Sequence, residues 1–211
     1  MTALTDTILQ DLIDHKIVQL KVEDTFTFAS GIKSPIYTDL RQTISYPKTR
    51  KAITLALAAL IQEKYPQATV IAGVATAGIP QAALVAAELN LPMVYVRSKP
   101  KDHGTGRQVE GVIQDNDQVV LIDDLISTGG SVIDTAKAVV REGHQVAGVV
   151  SIFSYGFPDA DKNFAEAGFA FAPLLTYSAL INRLADQKVV SADEHDRLSK
   201  WHQDPWAWPV Q

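Results

Sequence analysis

The sequence has no cysteine at all, which removes disulfides, thiolate zinc sites, iron–sulfur clusters and cysteine nucleophiles from consideration. Long apolar runs are absent as well: none approaches the roughly 18–20 residues that a membrane-spanning helix needs. The first twenty residues, MTALTDTILQDLIDHKIVQL, carry acids and lack a basic stretch followed by an apolar core. They read as an amphipathic helix, not as a signal peptide. Net positive charge is missing too, and a formal charge of −5 sets up a field that repels nucleic acid. Three nucleotide and nucleophile motifs do not occur: G-x-x-x-x-G-K-[ST], G-x-G-x-x-G and G-x-S-x-G. A phosphate-loop NTPase, a dinucleotide-dependent dehydrogenase and an α/β-hydrolase therefore lack their signatures. The expectation is a soluble cytoplasmic protein with neither nucleic acid nor membrane as a partner.

What is present is an ordinary globular composition, 46% apolar and 20% charged over 211 residues, enough chain for one unit with a substantial core. No repeat or low-complexity linker divides it. Leu4, Ile8, Leu12 and Ile13 recur at helical spacing within residues 4–20. Phe26-Thr27-Phe28, Gly31 and Ile36-Tyr37 predict a short hairpin with its turn at Ser30-Gly31. Pro47 suits the first turn of a long helix running through Ile61. A rhythm then sets in, with apolar strands expected at 69–73, 93–97, 119–123 and 145–153. Helices are expected at 80–89 and 130–142. Strands that are continuously apolar and alternate with helices imply a parallel sheet covered on both faces. Beyond Pro158 further helical pieces are expected, one opening with the capping box Ser191-x-x-Glu194. The polar stretch RSKPKDHGTGRQVE, residues 97–110, carries four Lys or Arg against two acids and reads as a mobile surface loop.

The segment that carries chemistry is VVLIDDLISTGGS, Val119 to Ser131. An apolar strand leads into two carboxylates, Asp123 and Asp124. A turn rich in hydroxyls and glycines then opens a helix. Ligands of open parallel sheets bind beyond the carboxyl ends of the strands. Glycine lets the backbone come close to a ligand, and successive N–H groups at a helix start bind phosphate. Two carboxylates beside a phosphate are unfavourable unless hydroxyls or a cation face them, and ribose hydroxyls with Mg2+ meet that need. Paired acids after a strand also occur in phosphate-loop NTPases and in phosphoacceptor domains, so the pair alone decides nothing.

In combination the pattern resembles the ribose-phosphate motif of the type I phosphoribosyltransferases: a strand, two acids, two spacer residues, then a Ser/Thr–Gly loop. Arg97 followed by Lys101-Asp102-His103-Gly104 resembles the catalytic loop of the orotate phosphoribosyltransferases. Residues 30–35, Ser-Gly-Ile-Lys-Ser-Pro, resemble that family's N-terminal element. The three matches fall in order between residues 26 and 131. The resemblance implies an α/β fold, a parallel-sheet type I core with helices on both faces. A small hood comes from the N-terminal region, and C-terminal segments can add to it. It implies a single domain over 1–211, with a hood at about 1–45, a core at about 46–155 and a C-terminal helical region at 156–211.

It further implies transfer of a phosphoribosyl group from phosphoribosyl diphosphate to orotate, a pentosyl transfer of de novo pyrimidine biosynthesis. Related enzymes for purines or uracil, and a non-catalytic regulator that keeps the sugar diphosphate site, remain as alternatives. By resemblance, Asp123 and Asp124 hold the ribose hydroxyls of phosphoribosyl diphosphate, Leu125 and Ile126 are the spacers of the same site, and Ser127, Thr128, Gly129, Gly130 and Ser131 cradle the 5-phosphate. Arg97, Lys101 and His103 meet the diphosphate, with Lys101 and Asp124 as the catalytic pair. Ser127 and Lys33 face orotate, Ser34 and Tyr37 belong to the element walling the base pocket, and residues 73–78 (GVATAG) form the diphosphate turn. Mg2+ is the implied cofactor, carried by the diphosphate substrate and not by a protein ligand set. The implied assembly is a homodimer in which loop 97–107 reaches the other subunit's site. Five positions depart from the family pattern: Ser98, Thr76-Ala77, Ala29 and Tyr155 stand where basic residues, or the Tyr–Lys pair of the diphosphate turn, are common. Backbone N–H groups or Arg41 are left to meet the orotate carboxylate. The four histidines outside the loop read as surface or boundary residues, Tyr155 as a packing residue, and the three tryptophans as anchors of the C-terminus on the core or a subunit interface.

Overall fold

A computed structural model describes residues 2–21, 25–28, 31–100 and 106–208. Lys101 and His103, together with Ala29 and Ser30, lie outside the described residues. Helix α1 (Thr2–Asp14) stops earlier than its periodicity suggests. Lys16 takes a positive φ of 55° and Ile17 N–H turns back to the Leu12 carbonyl. The chain can then enter β1 (Val18–Leu20), which pairs antiparallel with β4 (Ile36–Thr38). Between them β2 (Phe26–Thr27) and β3 (Lys33–Ser34) form the expected hairpin. A 3-10 helix, Leu40–Ser45, leads into α2 (Pro47–Lys64), which has the anticipated proline in its first turn.

From here strands and helices alternate: β5 (Val70–Val74), α3 (Gly78–Leu89), β6 (Met93–Val96), β7 (Val109–Glu110), β8 (Gln118–Ile126), α4 (Gly130–Arg141) and β9 (Gln145–Ser154). Then follow α5 (Pro158–Ala167), β10 (Phe171–Thr176), α6 (Tyr177–Asp186) and α7 (Ala192–Gln203). The main sheet runs β10-β9-β8-β5-β6-β7, parallel throughout except for β7. Alternate side chains of the central strands point to opposite faces. Ile71, Val120, Ile122, Val150 and Ile152 join the core made with α2 and α3. Val70, Ala72, Val119, Leu121 and Val149 join the core made with α4 and α5. Burial on both faces is why these strands read as unbroken apolar runs.

Three differences from the sequence reading have local causes. Strand β8 continues through Asp123 and Asp124 to Ile126, because Leu125 and Ile126 pair with Phe153 and Ser154 of β9. The acids therefore lie within the strand and do not end it. Part of the polar segment after Arg97 forms β7, an antiparallel addition to β6. The region after Pro158 contains a strand as well as helices: β10 carries Pro173, and it occupies an edge, where a missing N–H is tolerated.

The C-terminal helices pack back onto the N-terminal region. Trp201 of α7 is fully buried, and its indole N–H donates to the Lys33 carbonyl at 2.8 Å. Trp201, Phe28, Phe153, Phe157 and Tyr177 surround Tyr155, with ring centroids 5.1–6.2 Å from that of Tyr155. Trp208 is also buried, whereas Trp206 is largely exposed and donates to Asp159. The capping box at α7 is complete: Ser191 accepts from Glu194 N–H, and the Glu194 carboxylate accepts from Ser191 N–H.

Replacing Trp201 tests this closure. Trp201→Ala should cost about 3–5 kcal/mol, the usual range for emptying a buried aromatic site. Trp201→Phe, which keeps most of the packing and loses one hydrogen bond, should cost about 1–2 kcal/mol. Urea unfolding followed by circular dichroism measures both.

Candidate active site

The carboxyl ends of β5, β6, β8 and β9 meet on one edge of the sheet, and the matched segments converge there. Asp123 and Asp124 are adjacent on β8, with Asp124 N–H donating to Asp123 Oδ1 at 2.9 Å. Burial is the main influence on both groups, and it makes each harder to ionise. The neighbouring Asp124 adds to the effect on Asp123, whose pKa is pushed up to about 7. Asp124 is raised for the same first reason, and the charge of Arg41 works in the opposite direction. A buried pair of this kind is unfavourable until hydrogen-bond donors or positive charge face it.

Beyond the pair, Ser127 and Thr128 lead to Gly129 at a φ of 81°, which starts α4. Gly129 brings no side-chain acceptor to the helix start. The N–H groups of residues 130–132 are thus a cradle for an anion, assisted by the helix dipole. The loop is braced from behind by α5: Asn163 donates to the Thr128 carbonyl at 2.9 Å, and a Cβ on Gly129 would meet the Phe164 ring at 2.9 Å. Neither Asn163 nor Phe164 stands in a motif. Only the Gly129 requirement for close packing hints at a partner there.

The turn 73–78 lies against the acids. A Cβ on Gly78 would fall 2.1 Å from the Ile122 carbonyl oxygen and 3.3 Å from Asp123 Cα. Gly73 is equally tight against the Ile79 backbone at 2.7 Å. Small residues at 73 and 78 let two strand ends share one site, and the Ala75–Thr76 peptide between them is cis.

Arg97 leaves β6 on the same edge. Its N–H bonds the Gln108 carbonyl at 2.9 Å, and its guanidinium stands 3.8 Å from Glu110. Glu142 accepts from the N–H groups of Gln108 and Val109. Both roots of the loop are therefore fixed to the sheet and to the end of α4, while Lys101 and His103 fall outside the described residues. Lys33 points across its hairpin to Thr27 Oγ1 at 2.7 Å, and Ser34 Oγ donates to the Ile36 carbonyl. Tyr155 offers no cation and no open hydroxyl, because it is buried and burial raises its phenol pKa. Among the described residues no three His, Asp or Glu side chains cluster as a metal-binding group. The two acids fit an ion that arrives with most of its oxygens already supplied by phosphates, as Mg2+ commonly does.

A match to the phosphoribosyl transferase domain family covers residues 46–163, which span the acid pair, the phosphate loop and its α5 brace. Fold and site together define a phosphoribosyltransferase. The relatives narrow this. The orotate phosphoribosyltransferase of Lactobacillus johnsonii is 55% identical over 203 residues, 96% of each chain. That of Levilactobacillus brevis is 56% identical over 201 residues, 95% of this chain and 96% of the relative. The crystal structure of orotate phosphoribosyltransferase from Aeropyrum pernix superposes with a TM-score of 0.74 at 26% identity, covering 84% of this chain and 98% of that one. The chain belongs to the orotate phosphoribosyltransferase family.

The acid pair has a pH signature. The folded-state pKa of Asp123 lies above its unfolded value near 3.8, so the folded state holds the extra proton. Stability is greatest below about pH 4 with respect to this group and falls as pH rises toward about 7. Asp123→Asn should therefore raise the melting temperature at about pH 8 and leave it nearly unchanged at about pH 4, as measured by thermal scans of both proteins across that range.

Proposed function

We propose that the protein transfers the phosphoribosyl group of 5-phospho-α-D-ribose 1-diphosphate to orotate, giving orotidine 5′-monophosphate and diphosphate. The carrying observation is the half-buried Asp123–Asp124 pair set directly before an N–H-lined helix start. That pair needs donors, and the ribose 2′ and 3′ hydroxyls are donors at the right distance from a 5-phosphate. Residues 127–131 take the phosphate through backbone N–H groups and the hydroxyls of Ser127, Thr128 and Ser131. Leu125 and Ile126, paired into the sheet, fix the span between acids and loop.

Cleavage of the C1–oxygen bond leaves positive charge on the ribose ring and negative charge on the departing diphosphate. Asp124, at the sugar, steadies the first. Arg97, Lys101 and His103 steady the second as it develops, which is catalysis by preorganised charge. Mg2+, when bound with the diphosphate, neutralises part of the same charge. The N1 nitrogen of orotate then bonds to C1 from the opposite face, its proton passing to solvent while the electrons of the broken C1–oxygen bond leave with the diphosphate. Ser127 and Lys33 lie toward the orotate side of the pocket. The enzyme acts in the cytoplasm, in pyrimidine biosynthesis, as a homodimer whose 97–107 loops exchange between subunits. Among the described residues no helix is long and apolar enough to cross a membrane.

Mixing orotate, the sugar diphosphate and Mg2+ with the protein should deplete orotate absorbance. Turnover of uracil or hypoxanthine without turnover of orotate would overturn the substrate. Asp124→Asn is isosteric and should keep the fold while losing roughly 2–4 kcal/mol of transition-state stabilisation, read from kcat/KM for the sugar diphosphate.

Subunit exchange has its own test. Lys101→Ala and Asp124→Asn homodimers should each be nearly inactive. A mixed dimer unites the intact Lys101 of one chain with the intact Asp124 of the other, restoring one of its two sites by two-fold symmetry. A loop that serves its own chain leaves a lesion in every site, and verified mixed dimers would then stay dead.

A further inference from the structure

Orotate differs from uracil by a carboxylate on the ring carbon next to N1. In the reacting complex that carboxylate must lie close to the ribose, and burying it without a cation would be costly. The residues around the acid pair supply few candidates. Lys33 is engaged with Thr27 Oγ1 at 2.7 Å, Arg97 faces Glu110, Ala77 is apolar, and Tyr155 is packed inside an aromatic cluster. Arg41 differs from all of them. It sits in the 3-10 helix Leu40–Ser45, which packs against β8 and is joined to α3 through Gln81 and Thr43 at 3.4 Å.

Its side chain is 63% exposed and yet oriented. Nε donates to Asp39 Oδ1 at 2.8 Å, and Nη2 lies 3.4 Å from the Tyr37 hydroxyl. Asp39 is itself fixed: its backbone N–H donates to the Ile17 carbonyl, and its second oxygen accepts from Gln42 at 3.2 Å. Partial burial works against ionisation of Asp39, but the bonds from Arg41 and Gln42 outweigh it and keep the carboxyl below its usual range. The Asp39 bond thus uses the Nε side of the guanidinium, and the Nη end, with its paired donors, is the part suited to a carboxylate. The 3-10 helix that carries Arg41 packs against β8, the strand that bears the acid pair, and Asp124 feels the Arg41 charge. Tyr37, on β4, stacks on Phe26 at 5.4 Å, which fixes the hydroxyl that Arg41 approaches.

We propose that Arg41, held in place by Asp39 and Tyr37, receives the carboxylate of the acceptor base and sets the preference for a carboxylated pyrimidine over uracil. This rests on the orotate reading above. Arg41 touches substrate here, and Asp39 is a positioning residue acting through it. A guanidinium shared between two carboxylates is compatible with its five donors.

The test is steady-state kinetics and ligand competition on the full-length protein. Arg41→Gln should raise the orotate KM on the order of 10- to 100-fold, the cost of a lost charge-assisted bidentate contact. The KM for the sugar diphosphate should change by less than about threefold, because binding of that substrate is left alone. Uracil as a competitor should bind wild type and Arg41→Gln alike, so the orotate-over-uracil preference shrinks by the same factor as the KM rises. Arg41→Lys, which keeps charge but not the fork, should fall between. Asp39→Asn should weaken orotate binding in the wild-type background and add little to Arg41→Gln, the mark of coupled residues. An unchanged orotate KM in Arg41→Gln, or an equal loss for both substrates, overturns the assignment while wild type still uses orotate. A wild-type protein that does not use orotate at all overturns the substrate reading instead, and this inference with it.

Discussion

Asp123 and Asp124 stand side by side at the end of a buried parallel strand, and each lies where ionisation is disfavoured. Much of the surrounding architecture serves to hold that arrangement. Pairing with β5 runs to Ile122 and pairing with β9 continues past the acids to Ile126, so the backbone that carries them is held in the sheet. The 73–78 turn presses on the strand from one side, through a glycine that admits no Cβ. On the other side Asn163 and Phe164 clamp the loop that follows the acids. A pair kept under such conditions is poised for a ligand that brings hydroxyl donors, and the cradle of N–H groups one turn later is poised for a phosphate. A phosphorylated ribose carries both kinds of group.

The same edge of the sheet explains how a third component can be recognised. The 3-10 helix Leu40–Ser45 packs against β8, and Arg41, bonded to Asp39 and approaching Tyr37, acts by its charge on Asp124. Trp201 links the β2–β3 hairpin to the C-terminal helices through the Lys33 carbonyl, so the far end of the chain steadies the N-terminal region. The packing of one aromatic side chain thereby connects global stability to local recognition.

Much of this was legible in the amino-acid order. The central strands announced themselves because both of their faces are buried, and the glycine-rich turn after two acids marked the site. The capping box fixed the start of α7, and Pro47 fixed that of α2. What was not legible depended on partners distant in sequence. Strand β10 was hidden by Pro173, whose tolerance depends on lying at an edge. Strand β7 was hidden in a polar loop, because its two residues gain order only from pairing with Tyr95 and Val96. The helical pattern at the N-terminus ran on past Asp14, because Val18–Leu20 takes its shape from pairing with Ile36–Thr38. Asn163 and Phe164 brace the phosphate loop from over thirty residues away, and nothing local distinguishes them from ordinary helix residues. Tyr155 read as a packing residue, and the aromatic cluster around it bears that out.

The central claim is that the acid pair and the helix start together hold one phosphorylated ribose. It is tested most directly by a crystal structure of the protein with 5-phospho-α-D-ribose 1-diphosphate and Mg2+. The account predicts ribose hydroxyl oxygens about 2.5–3.0 Å from the carboxylates of Asp123 and Asp124, with the 5-phosphate on the N–H groups of residues 127–131. A sugar diphosphate bound with its 5-phosphate elsewhere, or with its hydroxyls turned away from both acids, would contradict it.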